Sequence, residues 1–248
     1  MNTRIVDLNL KNIKDFSSVC FCKKDNHGLN AKIDWIKKRL KEGLKIKIIT
    51  DDSGNTIRGY IEYTNGKNAF RAVDAKGYLV IHCIWITPNK YKNKGYGSSL
   101  IKECIKDAKG KIGVAVVTSD DSFMAEKKVF IKNGFKLIEE EGKQQLLVLQ
   151  NKKGALPKFK DYKEKLAKLK GWHIIYSNQC PWVARFIDEL DKKIINKFNI
   201  KITELKTAKQ AQNAPSIYSV FNLIKDGELL ADHYISNTRF SNILKKFK

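Results

Sequence analysis

The chain has 248 residues, a formal net charge of +22 and 42% hydrophobic residues. This length predicts two domains, and the hydrophobic content predicts folded cores rather than disorder. Because no stretch approaches about 18 consecutive apolar residues and the N-terminus lacks a signal peptide's apolar region, we expect a cytoplasmic protein without a membrane partner. The positive excess is spread evenly along the chain, without a basic tail, which argues against a nucleic-acid partner.

In residues 1–150, short apolar strands alternate with amphipathic helical stretches. Apolar spacing and turn residues predict strands over residues 45–50, 57–63, 78–86, 111–117, 135–138 and 145–150. Helices are predicted over residues 29–41, after the segment 92–100, and from a cap at Ser122 to a stop at Asn133-Gly134. The run YLVIHCIWI is apolar on both faces and is expected at the centre of the sheet. This pattern predicts a mixed α/β fold with a central sheet and flanking helices.

A change of composition divides the chain near residue 150. Residues 151–160, NKKGALPKFK, combine Gly, Pro and charge without periodicity and are predicted to be a linker. Residues 161–248 then form a smaller α/β domain. Its predicted elements are strands over 172–176 and 200–205, a helix over 182–195, a hairpin over 217–224 and 229–235, and a closing helix over 239–247.

The stretch KNKGYGSSL, residues 92–100, places Gly95 and Gly97 between an apolar strand and a helix. A helix N-terminus in such a loop offers free backbone N–H groups and a positive dipole end to a phosphate. The loop is not a Walker motif, because no lysine follows Gly97. It is not a dinucleotide fingerprint either, because Leu100 stands where that motif needs glycine.

The order of these elements, with Lys92-x-x-Gly95-x-Gly97 in the loop and Asn133-Gly134-Phe135 after the third helix, resembles the GNAT family of acetyl-CoA-dependent N-acetyltransferases. The resemblance covers residues 1–150. It implies that acetyl-CoA is the cofactor and that the loop's backbone binds the coenzyme A diphosphate through Lys92, Asn93, Lys94, Gly95, Tyr96, Gly97 and Ser98. It also implies that the strand end formed by Ile84, Trp85 and Ile86 pairs with the pantetheine arm.

The sequence departs from the family pattern at two functional positions. Lys92 replaces the usual Gln or Arg, which keeps a donor but loses the fork geometry of arginine. Phe130 stands where the family often has a tyrosine general acid, so Phe130 can line the cofactor site but cannot donate a proton. The proton for the leaving thiolate therefore comes from another group or from water, or is not supplied.

Two residues are candidate general bases for an attacking amine. His82 lies in the apolar strand, and histidine has an ordinary pKa close to neutrality; the alternative for it, a hydrogen-bonded core histidine, is favoured over the catalytic role. Glu62 lies on the preceding strand, and the alternative for it is a surface carboxylate.

The five cysteines form no zinc pattern, since only Cys20 and Cys22 are closely spaced, and no metal is expected. Cys180 is predicted to lie at a helix N-terminus, where the dipole favours the thiolate. With the later Pro215 and Asp226-Gly227, this segment resembles thioredoxin- and glutaredoxin-like domains, in which Pro215 would be a cis-proline. Val183 occupies the place of the resolving cysteine, so the resemblance implies a monothiol or a purely binding role.

Both halves together resemble the YoaP-like family of bacterial GNAT proteins, and residues 213–240 carry this second resemblance. Two functions stay open. The first is transfer of acetyl from acetyl-CoA to an amine by direct attack on the thioester, with a small amine, an antibiotic, a peptide or a protein lysine as acceptor. The second is an acyl-CoA-sensing or monothiol redox module that transfers no acetyl group, with Cys180 as the functional thiol.

Overall fold

The computed structural model describes residues 3–15, 27–51, 57–121 and 123–247. Its described residues divide into two compact units. The first comprises those of Met1–Phe21, Ile36–Ala69 and Val73–Lys160, and the second those of Cys22–Trp35, Phe70–Ala72 and Asp161–Lys248. The limits 1–150, 151–160 and 161–248 stay predictions. No helix in these described ranges is both long enough and apolar enough to cross a membrane.

A seven-stranded sheet forms the first unit, with strand order β1-β2-β3-β5-β6-β8-β7. Its strands are β1 (Thr3–Asp7), β2 (Lys45–Asp51), β3 (Ile57–Asn65), β5 (Tyr78–Ile86), β6 (Gly113–Thr118), β7 (Lys136–Glu141) and β8 (Gln144–Gln150). Two short strands, β4 (Val73–Asp74) and β9 (Lys158–Phe159), pair with each other in a separate two-stranded sheet. The helices up to residue 160 are α1 (Gly28–Leu40), α2 (Tyr96–Asp107) and α3 (Lys127–Ile131). β5 and β6 are parallel, while the other pairs of this sheet are antiparallel. The predicted mixed α/β fold is confirmed.

Helix α2 covers one face of this sheet. Its buried residues Leu100, Ile101 and Cys104 pack with strand residues in one apolar cluster, which includes Ile61, Tyr63, Leu79, Ile81, Ile84, Val114 and Val116. The spacing of the helix residues gives a single apolar stripe, so burial of that stripe positions α2 over β3, β5 and β6. The N-terminus of α2 is thereby fixed near the end of β5.

A bulge interrupts the pairing of β3 with β5. Glu62 lies opposite Cys83, whereas Tyr63 lies opposite Ile81, so His82 is an additional residue in β5. An extra residue bends its strand and increases the local twist. On its other side, β5 pairs with β6 over Tyr78–Ile81 only, although β6 continues to Thr118. The last residues of β5 thus leave the neighbouring strand.

A polar network joins α2 to the sheet around Asp107. Tyr63 Oη donates to Asp107 Oδ2 over 2.6 Å, and Lys45 Nζ donates to the same oxygen over 2.9 Å. Lys47 Nζ contacts Asp7 at 2.8 Å and Asp107 at 3.7 Å. Burial alone would raise the pKa of Asp107, but these hydrogen bonds and the lysine charges outweigh it and hold the pKa below its ordinary value.

A four-stranded sheet with order β11-β10-β12-β13 forms most of the second unit. Its strands are β10 (Trp172–Tyr176), β11 (Lys201–Glu204), β12 (Phe221–Lys225) and β13 (Glu228–Ala231). The helices are α4 (Lys163–Ala167), α5 (Pro181–Asp188), α6 (Lys192–Phe198), α7 (Ala208–Gln212) and α8 (Asn237–Lys245). β10 is parallel to β11 and antiparallel to β12, and β12 is antiparallel to β13. Aromatic residues from both layers, including Phe186, Phe221 and Phe240, form its core.

Several local predictions need correction. The helix expected over 182–195 is two helices, because Asp191 starts a new one by accepting a hydrogen bond from Lys193 N–H. The second hairpin strand ends at Ala231, four residues before the expected end. The cis bond expected at Pro215 is wrong: among the described residues the cis peptide is Thr87–Pro88, and Ala214 continues the turn after α7 through a hydrogen bond to Ala211 O. The predicted cap Ser122 and the turn residues 52–55 lie outside the described residues.

Replacing Asp107 by Asn should destabilise the first unit in a pH-dependent way. A depressed carboxyl pKa contributes stability above the unfolded value of 3.8, and this contribution is lost as the pH falls through the folded value. We therefore expect D107N to lower the free energy of unfolding by about 1–2 kcal/mol at neutral pH and by less near pH 3. Urea unfolding at both pH values measures the difference. Asp74→Asn, at an exposed carboxylate, is the control, and an equal loss at the two pH values would contradict the network.

Candidate functional site

The end of β5 forms one side of the candidate site. After Ile81 the strand has left β6, so the backbone of Ile84, Trp85 and Ile86 is not engaged by that neighbour. Ile86 is partly buried at the edge of the core, where Tyr96, Ala125 and Val129 also lie. Of the three strand residues expected to contact a pantetheine arm, Ile86 thus lies beside the apolar gap between the strand end and the helices, whereas Trp85 packs against Tyr60.

The N-terminus of α2 forms the second side. Gly95 precedes the helix with φ of 84°, in the left-handed region that favours glycine, and Asn93 has φ of 62°. The first bond of the helix runs from Ser99 N–H to Gly95 O over 2.9 Å. The N–H groups of Tyr96, Gly97 and Ser98 precede that bond, so they have no acceptor within the helix. These donors and the helix dipole can bind an anionic diphosphate.

Gly97 faces the gap between the two sides. A Cβ atom on Gly97 would lie 3.6 Å from Val129 Cγ2 and 4.0 Å from Ile86 Cγ1, which are ordinary contact distances. The space beside Gly97 thus accommodates one methyl group without displacing its neighbours. A larger side chain would extend further between the end of β5 and α3.

Asn133 links the helix N-terminus to α3. Its Nδ2 donates to Ser98 Oγ over 3.0 Å and to Val129 O over 2.7 Å. The Ser98 hydroxyl accepts this bond, so its own proton can be donated to a ligand. Sequence reasoning treated Asn133 only as a helix stop and missed this contact, although the Asn-Gly pair was recognised.

A cluster of positive side chains surrounds Tyr91, just before the loop. Arg58 Cζ lies 4.5 Å from the centroid of the Tyr91 ring, Lys90 Nζ 5.3 Å and Lys94 Nζ 5.8 Å. Tyr91 itself is 5% exposed and its ring centroid is 6.0 Å from that of Tyr96, the first residue of α2. Of these residues the sequence analysis assigned Lys94 and Tyr96 to the site and missed Lys90, Tyr91 and Arg58, the last of which comes from a different strand.

The two candidate bases lie together. His82 Nδ1 is 3.2 Å from Glu62 Oε1, and both side chains are buried. Glu62 alternates with Ile61 and Tyr63, which face α2, so the pair lies on the opposite face of the sheet. His82 also lies at a shallow depression lined by Arg39, Glu42, Leu44, Thr64 and Asn68. The arrangement can hold a proton on a histidine whose ring is oriented by a carboxylate.

Two other predicted site residues lie apart from the His82–Glu62 pair: Phe130 in the core of the first unit, and Cys180 in the second unit. Phe130 is 1% exposed and packs edge-on against Phe135, with the ring centroids 5.7 Å apart, so it is part of the core under α2. Cys180 belongs to the second unit, where it caps the N-terminus of α5 ahead of Pro181. It is half-buried, and close to it Trp182 contacts Tyr234 at 6.3 Å between ring centroids.

No group of three or more His, Cys, Asp or Glu side chains within the described ranges is arranged to hold a metal ion. The site therefore consists of a strand end, a helix N-terminus and a buried His–Glu pair, all in the first unit. Backbone donors at the helix N-terminus suit a diphosphate, and the apolar gap suits an extended thiol arm.

This combination of sheet, strand gap and glycine loop agrees with the family comparison. The profile of the acetyltransferase (GNAT) family matches residues 10–135, about half of the chain, and a YoaP-like profile matches residues 199–242. The chain belongs to the acetyltransferase (GNAT) family. It is an N-acetyltransferase, and acetyl-CoA is its acetyl donor.

Its similarity to a curated relative extends over almost the whole chain. The chain is 28% identical over 250 residues to a Bacillus subtilis (strain 168) protein described as "Uncharacterized N-acetyltransferase YoaP", covering 96% of this chain and 97% of that one. Among solved structures it is similar to the PaiA N-acetyltransferase of Thermoplasma acidophilum in complex with coenzyme A, at 15% identity and a TM-score of 0.43, covering 60% of this chain and 99% of that chain. It is also similar to a GNAT-family acetyltransferase of Staphylococcus aureus Mu50, at 15% identity and a TM-score of 0.46, covering 61% and 100%.

Gly97→Val should weaken acetyl-CoA binding strongly without unfolding the protein. The space beside Gly97 accepts a single methyl, and the branches of valine would enter the gap between Ile86 and Val129. We expect at least a roughly tenfold rise in the dissociation constant, since each 1.4 kcal/mol of lost contact is tenfold. Calorimetric titration with acetyl-CoA measures it.

Lys102→Val is the matched control for this change, because it puts the same β-branched residue at an exposed position of α2. Binding that is unchanged in Gly97→Val, or weakened equally in the control, would contradict the assignment of the gap. Thermal unfolding of both variants checks that the fold is intact.

Proposed function

We propose that the protein acetylates an amine by direct attack of the amine nitrogen on the thioester of acetyl-CoA. The observation that carries this proposal is the separation of β5 from β6 after Ile81, directly beside the free N–H groups of α2. A strand edge offers hydrogen bonds to the amides of an extended arm, and the helix N-terminus offers them to a diphosphate. The two groups of donors suit the two parts of coenzyme A.

The binding roles follow from this placement. The backbone of Ile84–Ile86 pairs with the pantetheine arm, and the backbone N–H groups of Lys92–Ser98 surround the diphosphate, with the Ser98 side chain oriented by Asn133. Lys92 contributes a point charge rather than a fork of donors. Phe130, packed beneath α2, supports the site through apolar contact.

His82 is the proposed general base, and Glu62 is its positioning residue. The contact between His82 Nδ1 and Glu62 Oε1 spans 3.2 Å. In the tautomer that we propose, Nδ1–H donates to this carboxylate, which leaves Nε2 as the basic nitrogen. His82 takes a proton from the acceptor amine, the nitrogen bonds to the acetyl carbon, and the carbon–sulfur bond breaks. Because Phe130 has no hydroxyl, the departing thiolate takes its proton from water. His82 is the additional residue of the bulge, and it directly follows Ile81, the last residue of β5 that pairs with β6.

The acceptor is proposed to be a small-molecule or peptide amine. Family membership supports an amine acceptor in general, and one of the similar solved structures contains a bisubstrate analogue of coenzyme A and acetylneamine. A cytoplasmic location, where acetyl-CoA is made, agrees with this role and stays a prediction.

Release of free coenzyme A from acetyl-CoA in the presence of mixed amines tests the proposal. The wild-type protein should release coenzyme A in an amine-dependent way. His82→Gln should lower kcat roughly hundredfold or more, since general bases contribute at least that much, while the dissociation constant of acetyl-CoA changes little. Glu62→Gln, which can still accept a hydrogen bond, should give a smaller loss.

His173→Gln is the matched control, because His173 is a buried histidine in the second unit that contacts the Lys170 carbonyl. Full activity of His82→Gln would make His82 a core residue only. Absence of amine-dependent release by the wild-type protein, with acetyl-CoA bound, would favour acyl-CoA sensing over acetyl transfer.

For the second unit we propose a thioredoxin-like fold with a functional thiol at Cys180. The sheet order β11-β10-β12-β13, with helices after β10 and β11 and a final helix α8, supports the fold. The position of Cys180 at the N-terminus of α5 supports the thiol, because the helix dipole stabilises a thiolate there. Val183 in place of a second cysteine limits this thiol to monothiol chemistry or to binding.

Cys180 should react with iodoacetamide at neutral pH roughly tenfold faster than Cys83, because only Cys180 lies at a helix N-terminus. Cys83 is an internal control, since it is also a half-buried cysteine. Mass spectrometry after timed labelling gives both rates in one experiment, and Cys180→Ser identifies the peptide. Equal rates at the two cysteines would make Cys180 a structural residue.

A further inference from the structure

Three positive side chains lie close to the ring of Tyr91. Arg58 reaches it from β3, and Lys90 and Lys94 reach it from the adjacent loop, with all three charged groups within 5.8 Å of the ring centroid. The ring attracts cations through its negative face, so it holds these flexible side chains near one place. Its contact with Tyr96 puts that place beside the N-terminus of α2.

The surrounding sequence leaves this charge largely uncompensated. Residues 75–102 contain no Asp or Glu. Asp51 contacts Arg58, with Nη2 3.3 Å from Oδ2, and neutralises part of the charge. Lys90 and Lys94 are exposed, so their ammonium groups are available to a ligand in solution. A multiply charged anion gains more at such a cluster than a singly charged one does.

We propose that Lys90 and Lys94, positioned by Tyr91 and assisted by Arg58, bind the 3′-phosphate of coenzyme A. This inference rests on the proposed function, which places the diphosphate at the N-terminus of α2. Coenzyme A carries two kinds of phosphate: the diphosphate, and a terminal monoester close to it. The α2 amides supply directional donors for the former, and the Tyr91 cluster supplies point charges for the latter.

The charge of the monoester is the reason for assigning Lys90 and Lys94 to the 3′-phosphate rather than to the diphosphate. A phosphate monoester carries a charge of about −1.5 to −2 at neutral pH, whereas each phosphate of the diphosphate carries about −1. Lysine ammonium groups act as mobile point charges and need no fixed acceptor geometry, which suits a terminal group attached by a single ester bond. The cluster would therefore make the protein prefer coenzyme A to dephospho-coenzyme A.

Calorimetric titration with coenzyme A and with dephospho-coenzyme A tests this preference at about 50 mM salt. The wild-type protein should bind coenzyme A roughly tenfold more tightly, as expected for charged hydrogen bonds that one ligand lacks. In the double variant Lys90→Gln/Lys94→Gln, coenzyme A binding should weaken roughly tenfold while dephospho-coenzyme A binding changes less than about twofold. The wild-type preference should also shrink at high salt, because exposed charges are screened.

Lys106→Gln is the matched control, because Lys106 is an exposed lysine, 78% exposed, in the last turn of α2. Equal affinity of the wild-type protein for the two ligands would overturn the inference and leave the proposed function intact. Equal weakening of both ligands in the double variant would assign the lysines to the diphosphate and also overturn it. Failure of the wild-type protein to bind either ligand would overturn the proposed function itself.

Discussion

The extra residue in β5 is the constraint on which the first unit depends. His82 is an additional residue of β5 relative to β3, and β5 pairs with β6 only as far as Ile81. A bulge bends its strand and increases the local twist, which agrees with the end of this pairing at the same point. Beyond Ile81 the edge of β5 that faced β6 no longer forms a ladder with that strand, and such an edge is suited to an extended ligand that brings its own amides.

The same bulge also determines which face of the sheet each side chain of β5 occupies. Because residues alternate between faces, one inserted residue shifts every later side chain of β5 to the opposite face. Ile81 and Ile84, three positions apart, therefore both reach the core under α2, and His82 between them faces the other side of the sheet, toward Glu62. In the proposed function, an arm bound along this strand edge would pass beside His82, so cofactor binding and proton acceptance would both depend on the bulge.

Sequence reasoning predicted the elements better than the contacts. The run at 78–86 and the glycine loop were recognised, because apolar runs and glycine pairs are local signals. The bulge left no signal, since His82 stands in an uninterrupted apolar run. Arg58 and Tyr91 come from different strands and loops, and only the fold brings them together. The helix break before Asp191 was missed because the apolar spacing continues through Ile194 and Ile195, whereas the cap at Asp191 competes locally and prevails.

The role of each positive charge depends on the residues that surround it, and the net charge of +22 does not show that role. Lys47 forms ion pairs with Asp7, Glu103 and Asp107. Its charge is therefore balanced within the protein, where it stabilises the contact between α2 and the sheet. Lys90 and Lys94 instead contact the ring of Tyr91, which is uncharged and therefore holds their ammonium groups close together without neutralising them. A basic composition therefore does not require a polyanionic partner: part of it balances internal carboxylates, and part is concentrated where one small, highly charged cofactor is proposed to bind.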